Sequence, residues 1–260
     1  MKLTILGSGT YQPELERHSS AYLIEINNSK ICFDFGRGAI DQLLKLGIRP
    51  NEIDAVFISH FHPDHVNELL ALVHITIASV PKNLLVNEKP RLKPLKIYGP
   101  KETRERIDYL RKSAFLDYFP MDWLQVFELE DGSEVSDKNW KVRAYQTEHT
   151  KETRSLCYRL TSGKEIIAYS GDSVDCPGLR KAVSDADLAV IEASWPEEVK
   201  SRSHLTGKRT GRIAQENKVK KLILTHASPY YLKNFNPKKD AQKYFKGEII
   251  IAKDLLSFDI

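Results

Sequence analysis

Cysteine is scarce and never paired by spacing. The 260-residue chain carries three, Cys32, Cys157 and Cys176, an odd number with no Cys-x-x-Cys pattern. That argues against a disulfide framework and against thiolate metal ligands, and predicts reduced thiols in a cytoplasmic protein. Long apolar runs are missing too. Nothing approaches the roughly 18 consecutive apolar residues of a membrane span. The run from Met1 to Leu6 meets Gly7 too soon for a secretory signal and shows no small-residue cleavage pattern. Charge of one sign is only slightly in excess: a net +4 and a pI near 8.8 suit a phosphate-bearing substrate without requiring one. Gly7-Ser-Gly9 lacks the third glycine of a dinucleotide fingerprint, so it reads better as a tight turn near the site. No internal repeat or low-complexity tract is present.

What is there describes a folded enzyme-sized chain. With 41% hydrophobic and 28% charged residues, the sequence can build a core, and a single domain over residues 1–260 is expected. Short β-runs dominate: Lys2 to Leu6, Ser20 to Ile26, Lys30 to Phe33, Asp54 to Ile58, Leu95 to Tyr98, Leu124 to Leu129, Trp140 to Tyr145, Ser155 to Thr161, Glu165 to Tyr169, Leu188 to Glu192, Lys221 to Leu224 and Glu248 to Ala252. Helical spacing marks Gly38 to Leu46, Asp64 to Ser79, Lys101 to Lys112, Leu205 to Asn217 and Lys238 to Phe245. Val80 to Pro94, with three prolines and several lysines, reads as a loop bordering the site. Two β-rich halves emerge.

The chemistry concentrates in residues 59–65, SHFHPDH, which place three imidazoles and a carboxylate in one strand-to-helix loop. Divalent transition metals need such donors converging from several directions, and one loop rarely collects three histidines otherwise. More candidates stand at element boundaries: His149 in TEHT, Asp172 in SGDS, His204 in SHLT and His226 in LTHASPYY. Open α/β sheets place their sites at such strand ends. His18, in a polar loop, and His74, inside an apolar helical pattern, read as structural and stay outside the set.

The ordered stretches GSGT with Ser19-Ser20, SHFHPDH, TEHT, SGDS, IEAS, SHLT and LTHASPYY resemble the metallo-β-lactamase superfamily, in its ribonuclease Z-like or phosphodiesterase branch. Seven motifs in order are more specific than a lone HxHxDH. The resemblance implies an α/β metallo-β-lactamase fold, a four-layer αββα sandwich. It also implies two divalent metal ions, with zinc favoured and manganese or iron equally suited to imidazole and carboxylate. His60, His62 and His149 would hold one ion and Asp64, His65 and His226 the other, with Asp172 bridging. Two ions about 3.5–4 Å apart can share a water, lower its pKa and clamp the oxygens of an in-line displacement. The bridging hydroxide would be the nucleophile and Asp64 would orient it. His204, backed by Glu192, would face the scissile phosphate as general acid.

The sequence also departs from that branch. Only Thr150 to Ser170 separates TEHT from SGDS, leaving no room for the arm that grips transfer RNA. Pro63 replaces a usual glycine, and a tyrosine replaces the arginine common near LTHASPYY. The expected substrate is therefore a small or cyclic phosphodiester, a nucleotide, or an RNA 3′ end, rather than full-length transfer RNA. The alternatives are a hydrolase of a thioester, lactone, β-lactam or sulfate ester, and a metal-containing binding protein without turnover. Lys200, Arg202, Lys208 and Arg209 flank His204 and either meet phosphate or form a wet face. Tyr230 and Tyr231 either stack a base or pack. By analogy with relatives, the resemblance also implies a homodimer.

Overall fold

The computed structural model describes residues 1–78, 93–117 and 121–260. Most of the loop expected over Val80 to Pro94 lies outside them. Two seven-stranded sheets form the centre. The first runs β14-β1-β2-β3-β4-β5-β6, built from β1 (Lys2–Gly7), β2 (Ala21–Ile26), β3 (Ser29–Phe35), β4 (Ala55–Phe57), β5 (Leu95–Gly99), β6 (Leu124–Glu128) and β14 (Ser257–Asp259). The second runs β13-β12-β11-β10-β9-β8-β7, from β7 (Glu134–Asp137), β8 (Trp140–Thr147), β9 (Ser155–Ser162), β10 (Glu165–Tyr169), β11 (Leu188–Glu192), β12 (Lys221–Thr225) and β13 (Glu248–Ile251). Each sheet is antiparallel in one half and parallel in the other, the change falling at β3 and at β10.

Burial follows strand chemistry. β8, WKVRAYQT, alternates buried and exposed positions along most of its length, the period-2 mark of a half-covered strand. β11, LAVIE, is buried throughout, as a parallel strand covered on both faces must be. Between the sheets Phe33 stacks on Tyr158 at 5.5 Å and on Tyr169 at 5.6 Å, so the inner core joins aromatic groups of both sheets. The outer face of the first sheet is covered by α1 (Ala39–Lys45), α3 (Leu69–Ala78) and α4 (Thr103–Ser113). That of the second is covered by α5 (Pro177–Val183), α6 (Gly207–Glu216) and α8 (Pro237–Gln242). The result is the expected α/β sandwich of four layers.

One expectation needs correction. The helix expected over Asp64 to Ser79 is two helices, α2 (Pro63–Val66) and α3, parted at Asn67 and Glu68. The break frees Glu68, whose carboxylate accepts from the backbone N–H of Gly38 at 2.5 Å and of Ile40 at 2.8 Å, while its own N–H donates to Phe35 O. Those contacts satisfy the start of α1, where Gly38 has no side chain to cap with. Gly38 is required there: its φ is +87°, and a Cβ would lie 1.7 Å from the His18 ring. Among the described residues, four short strands and α-helices went unread: β7, α5, α7 (Pro229–Asn234) and β14. No helix among the described residues is long and apolar enough to cross a membrane.

Candidate metal centre

Five strand ends build the site. β4 runs into Ser59–His65, β8 into His149, β10 into Asp172, and β12 into His226, while Glu192 closes β11. The SHFHPDH loop is shaped by a residue that the sequence reading missed, Asp34. Its fully buried carboxylate accepts from Ser59 N at 2.6 Å, Ser59 Oγ at 2.7 Å, His65 Nδ1 at 2.7 Å and Tyr169 Oη at 2.6 Å. An acid inside the apolar run of β3 was the signal that could have found it, because a buried carboxylate needs donors. Pro63 occupies the first turn of α2, with its φ set for a helix and no N–H to satisfy. Asp64 and His65 follow it into the site.

Three groups of donor atoms converge among the described residues, two of them made up of the seven expected ligands. His60, His62, His149 and Asp172 place one ligand atom each within 4.8 Å of one another, and so do Asp64, His65 and His226. In the first group His62 Nδ1 is 2.9 Å from His60 Nε2 and 3.2 Å from His149 Nε2. In the second His226 Nε2 is 3.2 Å and His65 Nε2 3.7 Å from Asp64 Oδ2. Asp172 divides its oxygens between them. Oδ2 lies 3.9 Å from His60 Nε2 and 3.8 Å from His149 Nε2, whereas Oδ1 lies 3.4 Å from His65 Nε2 and 3.5 Å from His226 Nε2.

The outward nitrogens fix which inward nitrogens carry lone pairs. His149 Nδ1 donates to Ser203 O at 2.8 Å and His65 Nδ1 to Asp34. Ser59 Oγ gives its proton to Asp34, so it accepts from His60 Nδ1 at 3.0 Å. Ser194 Oγ likewise gives its proton to Glu192 and accepts from His226 Nδ1 at 3.0 Å. In the neutral form of each ring Nε2 is thereby the nitrogen left with a lone pair and aimed inward, the arrangement that partners behind metal-binding histidines impose. His65 Nε2 is buried with no hydrogen-bond partner, an orphan that a cation would satisfy.

Charge agrees with the geometry. Burial, then the neighbouring imidazoles, hold His60 well below the ordinary histidine range and His62 below it, keeping both neutral and able to ligate. Burial opposes ionisation of Asp64 and Asp172, yet the histidines around them outweigh it and hold both carboxylates below their usual values. His65 is pulled the other way: burial disfavours its charge, but Asp172, Asp34 and Asp64 raise it well above the ordinary range. The cluster is thus short of positive charge, and the donor set fits two divalent ions.

His204 forms the third group, with Asp172 and His226. Its Nδ1 is 3.2 Å from both oxygens of the fully buried Glu192 and 3.8 Å from Asp172 Oδ2. Burial lowers its pKa, but Glu192 and then Asp172 prevail and lift it to about 9. Glu192 is itself held by Ser173 N at 2.6 Å and by Ser194 Oγ. The GSGT turn reaches the same region, since Ser8 O accepts from His226 N at 3.3 Å. Tyr231 is buried, its hydroxyl donating to Asp240, whereas Tyr230 is half exposed. Arg209 pairs with Glu197 at 3.4 Å. His18 pairs with Asp254, His74 is exposed on α3, and the three cysteines are free, buried and outside all three donor groups.

The model of the beta-lactamase superfamily domain matches residues 30–227, most of the chain and all seven donor residues. The chain belongs to this superfamily. Within the superfamily it is ribonuclease Z-like. The ribonuclease Z of Archaeoglobus fulgidus is 29% identical, over 100% of this chain and 97% of that protein. That of Methanosarcina acetivorans is 28% identical, over 100% and 98%. The second alignment occupies 315 positions against 260 residues here, so that relative carries segments this superfamily member lacks. Solved structures share the fold: the metallo-beta-lactamase fold protein YhfI of Bacillus subtilis has a TM-score of 0.81 at 22% identity, covering 99% of this chain and 98% of its own. The short form of human tRNase Z has 0.77 at 23%, covering 100% and 99%.

Proposed function

We propose that this chain is a metal-dependent phosphodiester hydrolase of the ribonuclease Z type, acting on small or cyclic phosphodiesters, nucleotides or RNA 3′ ends. The observation that carries the reading is the His204–Glu192 pair set against a seven-residue donor cluster. His60, His62 and His149 would hold one ion and Asp64, His65 and His226 the other, with Asp172 shared; zinc is the first choice. Bound there, the ions would supply Lewis-acid polarisation of the phosphoryl group and a water acidified towards neutrality.

The chain's own residues do the rest. Asp64 presents a carboxylate oxygen that can accept a proton from the attacking water and so aim it. Glu192 holds His204 Nδ1, fixing the ring and keeping it cationic, so Nε2 is the proton donor for the leaving oxygen. A phosphodiester has such an alkoxide to protonate and a dianionic phosphorane charge to neutralise, which is why the pair favours this reaction over thioester or lactone opening. A small substrate is supported by β9 and β10, which are joined by the Gly163-Lys164 turn with no arm between them. The longer ribonuclease Z alignment supports the same view, and full-length transfer RNA is not the proposed substrate.

The test is a panel assay of protein loaded with zinc, manganese or iron. Bis-p-nitrophenyl phosphate, 2′,3′-cyclic nucleotides and an RNA with a short 3′ trailer are set against a thioester and a sulfate ester. Turnover confined to the phosphodiesters is expected. Hydrolysis of only a non-phosphate ester, or of none, would refute the reading.

A further inference from the structure

Asp254 lies 28 residues beyond His226 and outside the matched superfamily domain, yet it gathers five donors. Its Oδ1 accepts from Ser8 N at 2.9 Å and Ser8 Oγ at 2.7 Å. Oδ2 accepts from His18 N at 2.7 Å, His18 Nδ1 at 2.7 Å and Gln42 Nε2 at 3.1 Å. The side chain is 6% exposed, and Ser8 is buried. Neighbouring backbone pins the carboxylate in place: Leu255 N donates to Ile5 O at 2.7 Å and Ile5 N to Leu256 O at 2.9 Å.

The cluster has an outlet. Ser8, held by Asp254 through both its N–H and its hydroxyl, turns its carbonyl to His226 N at 3.3 Å. His226 has φ +54°, a left-handed conformation uncommon for a residue other than glycine. Ser194 Oγ fixes the ring of His226 and Ser8 O meets its backbone. Ring and backbone are thus contacted from opposite sides, the ring from within the matched superfamily domain and the backbone from a residue outside it.

We propose that Asp254, acting through Ser8, is a positioning residue for His226. It holds the left-handed backbone that turns the His226 Nε2 lone pair towards Asp64 and Asp172. The inference rests on the reading of His226 as a metal ligand. It predicts that the chain's two ends, which supply no donor atom, decide whether the Asp64–His65–His226 group binds an ion.

The test is Asp254→Asn, which keeps size but turns an N–H₂ towards donors of His18 or Ser8. Metal content is measured by elemental analysis after dialysis of zinc-loaded protein, with a 15N-correlation spectrum of the histidine rings as a readout independent of activity. Expected is a fall from two ions per chain to about one, a shift of the His226 ring signals with those of His60 and His149 in place, and a kcat loss of at least tenfold with KM within about threefold. Should Asp254→Asn fail to fold, Ser8→Ala and His18→Phe each remove one side-chain donor to the same carboxylate, and Ser8→Ala should weaken the second ion more. Two tightly held ions and an unmoved His226 signal in any folded variant would overturn the proposal. Wild-type protein that binds fewer than two ions would instead refute the metal assignment beneath it.

Discussion

A histidine becomes a ligand by what sits behind it. His65 donates its outer N–H to the buried carboxylate of Asp34, and His60 and His226 donate theirs to serines that in turn donate to Asp34 and Glu192. Replacing Asp34 with Asn puts donors where Ser59, His65 and Tyr169 already donate. Partners of this kind are worth about 10–100-fold in metal affinity, so Asp34→Asn should lose zinc to a competing chelator at about 10–100-fold lower chelator concentration than wild type. Equal retention would show that the Asp34 contacts are only packing. His204→Ala should behave differently. Both ions should stay, while kcat falls by roughly 10²–10⁴ on an alkyl leaving group, the usual worth of a general acid. The loss should be much smaller on p-nitrophenolate, which leaves without a proton. Equal losses on both substrates would argue for a binding role instead.

At the scale of elements, the legible part of the fold was the part with a periodic burial signal. β11 and β12 are apolar runs ended by a site residue, and each was readable, as was the metal loop after β4. β7, EVSD, is almost wholly exposed, and β14 is a three-residue edge strand, so neither had apolar alternation to read. The break between α2 and α3 was hidden for another reason. The apolar residues keep helical spacing across it, and the interruption is dictated by a long-range partner, the bare N–H groups at the start of α1. Asp34 and Asp254 were missed similarly, because their meaning is in donors 25 and more than 200 residues away in sequence. If capping explains the break, Glu68→Ala should cost about 0.5–2 kcal/mol in urea unfolding while leaving metal content unaltered. A variant as stable as wild type would remove that explanation.

At the scale of the whole molecule, the donor cluster is a seam. His60, His62, Asp64 and His65 hang from the first sheet, and His149, Asp172 and His226 from the second, so the cluster exists only while the sheets are docked. An ion that binds the docked state and not the unfolded chain stabilises it by mass action, about 2.7 kcal/mol at a free concentration 100 times Kd. For a chain of this size that is a Tm increase of roughly 5–10 °C. Dialysis against a chelator should therefore lower Tm by that amount and zinc should restore it. Asp172→Ala tests whether the seam is closed through the shared carboxylate. Its two oxygens face the two halves of the cluster, so the variant should release metal and its Tm should no longer respond to zinc. His74→Ala, on an exposed face of α3, is the control for a histidine outside the seam, and should keep the full response. A zinc-dependent increase that survives in Asp172→Ala would mean that the ions sit within one sheet's loops alone, and the bridging assignment would fall with it.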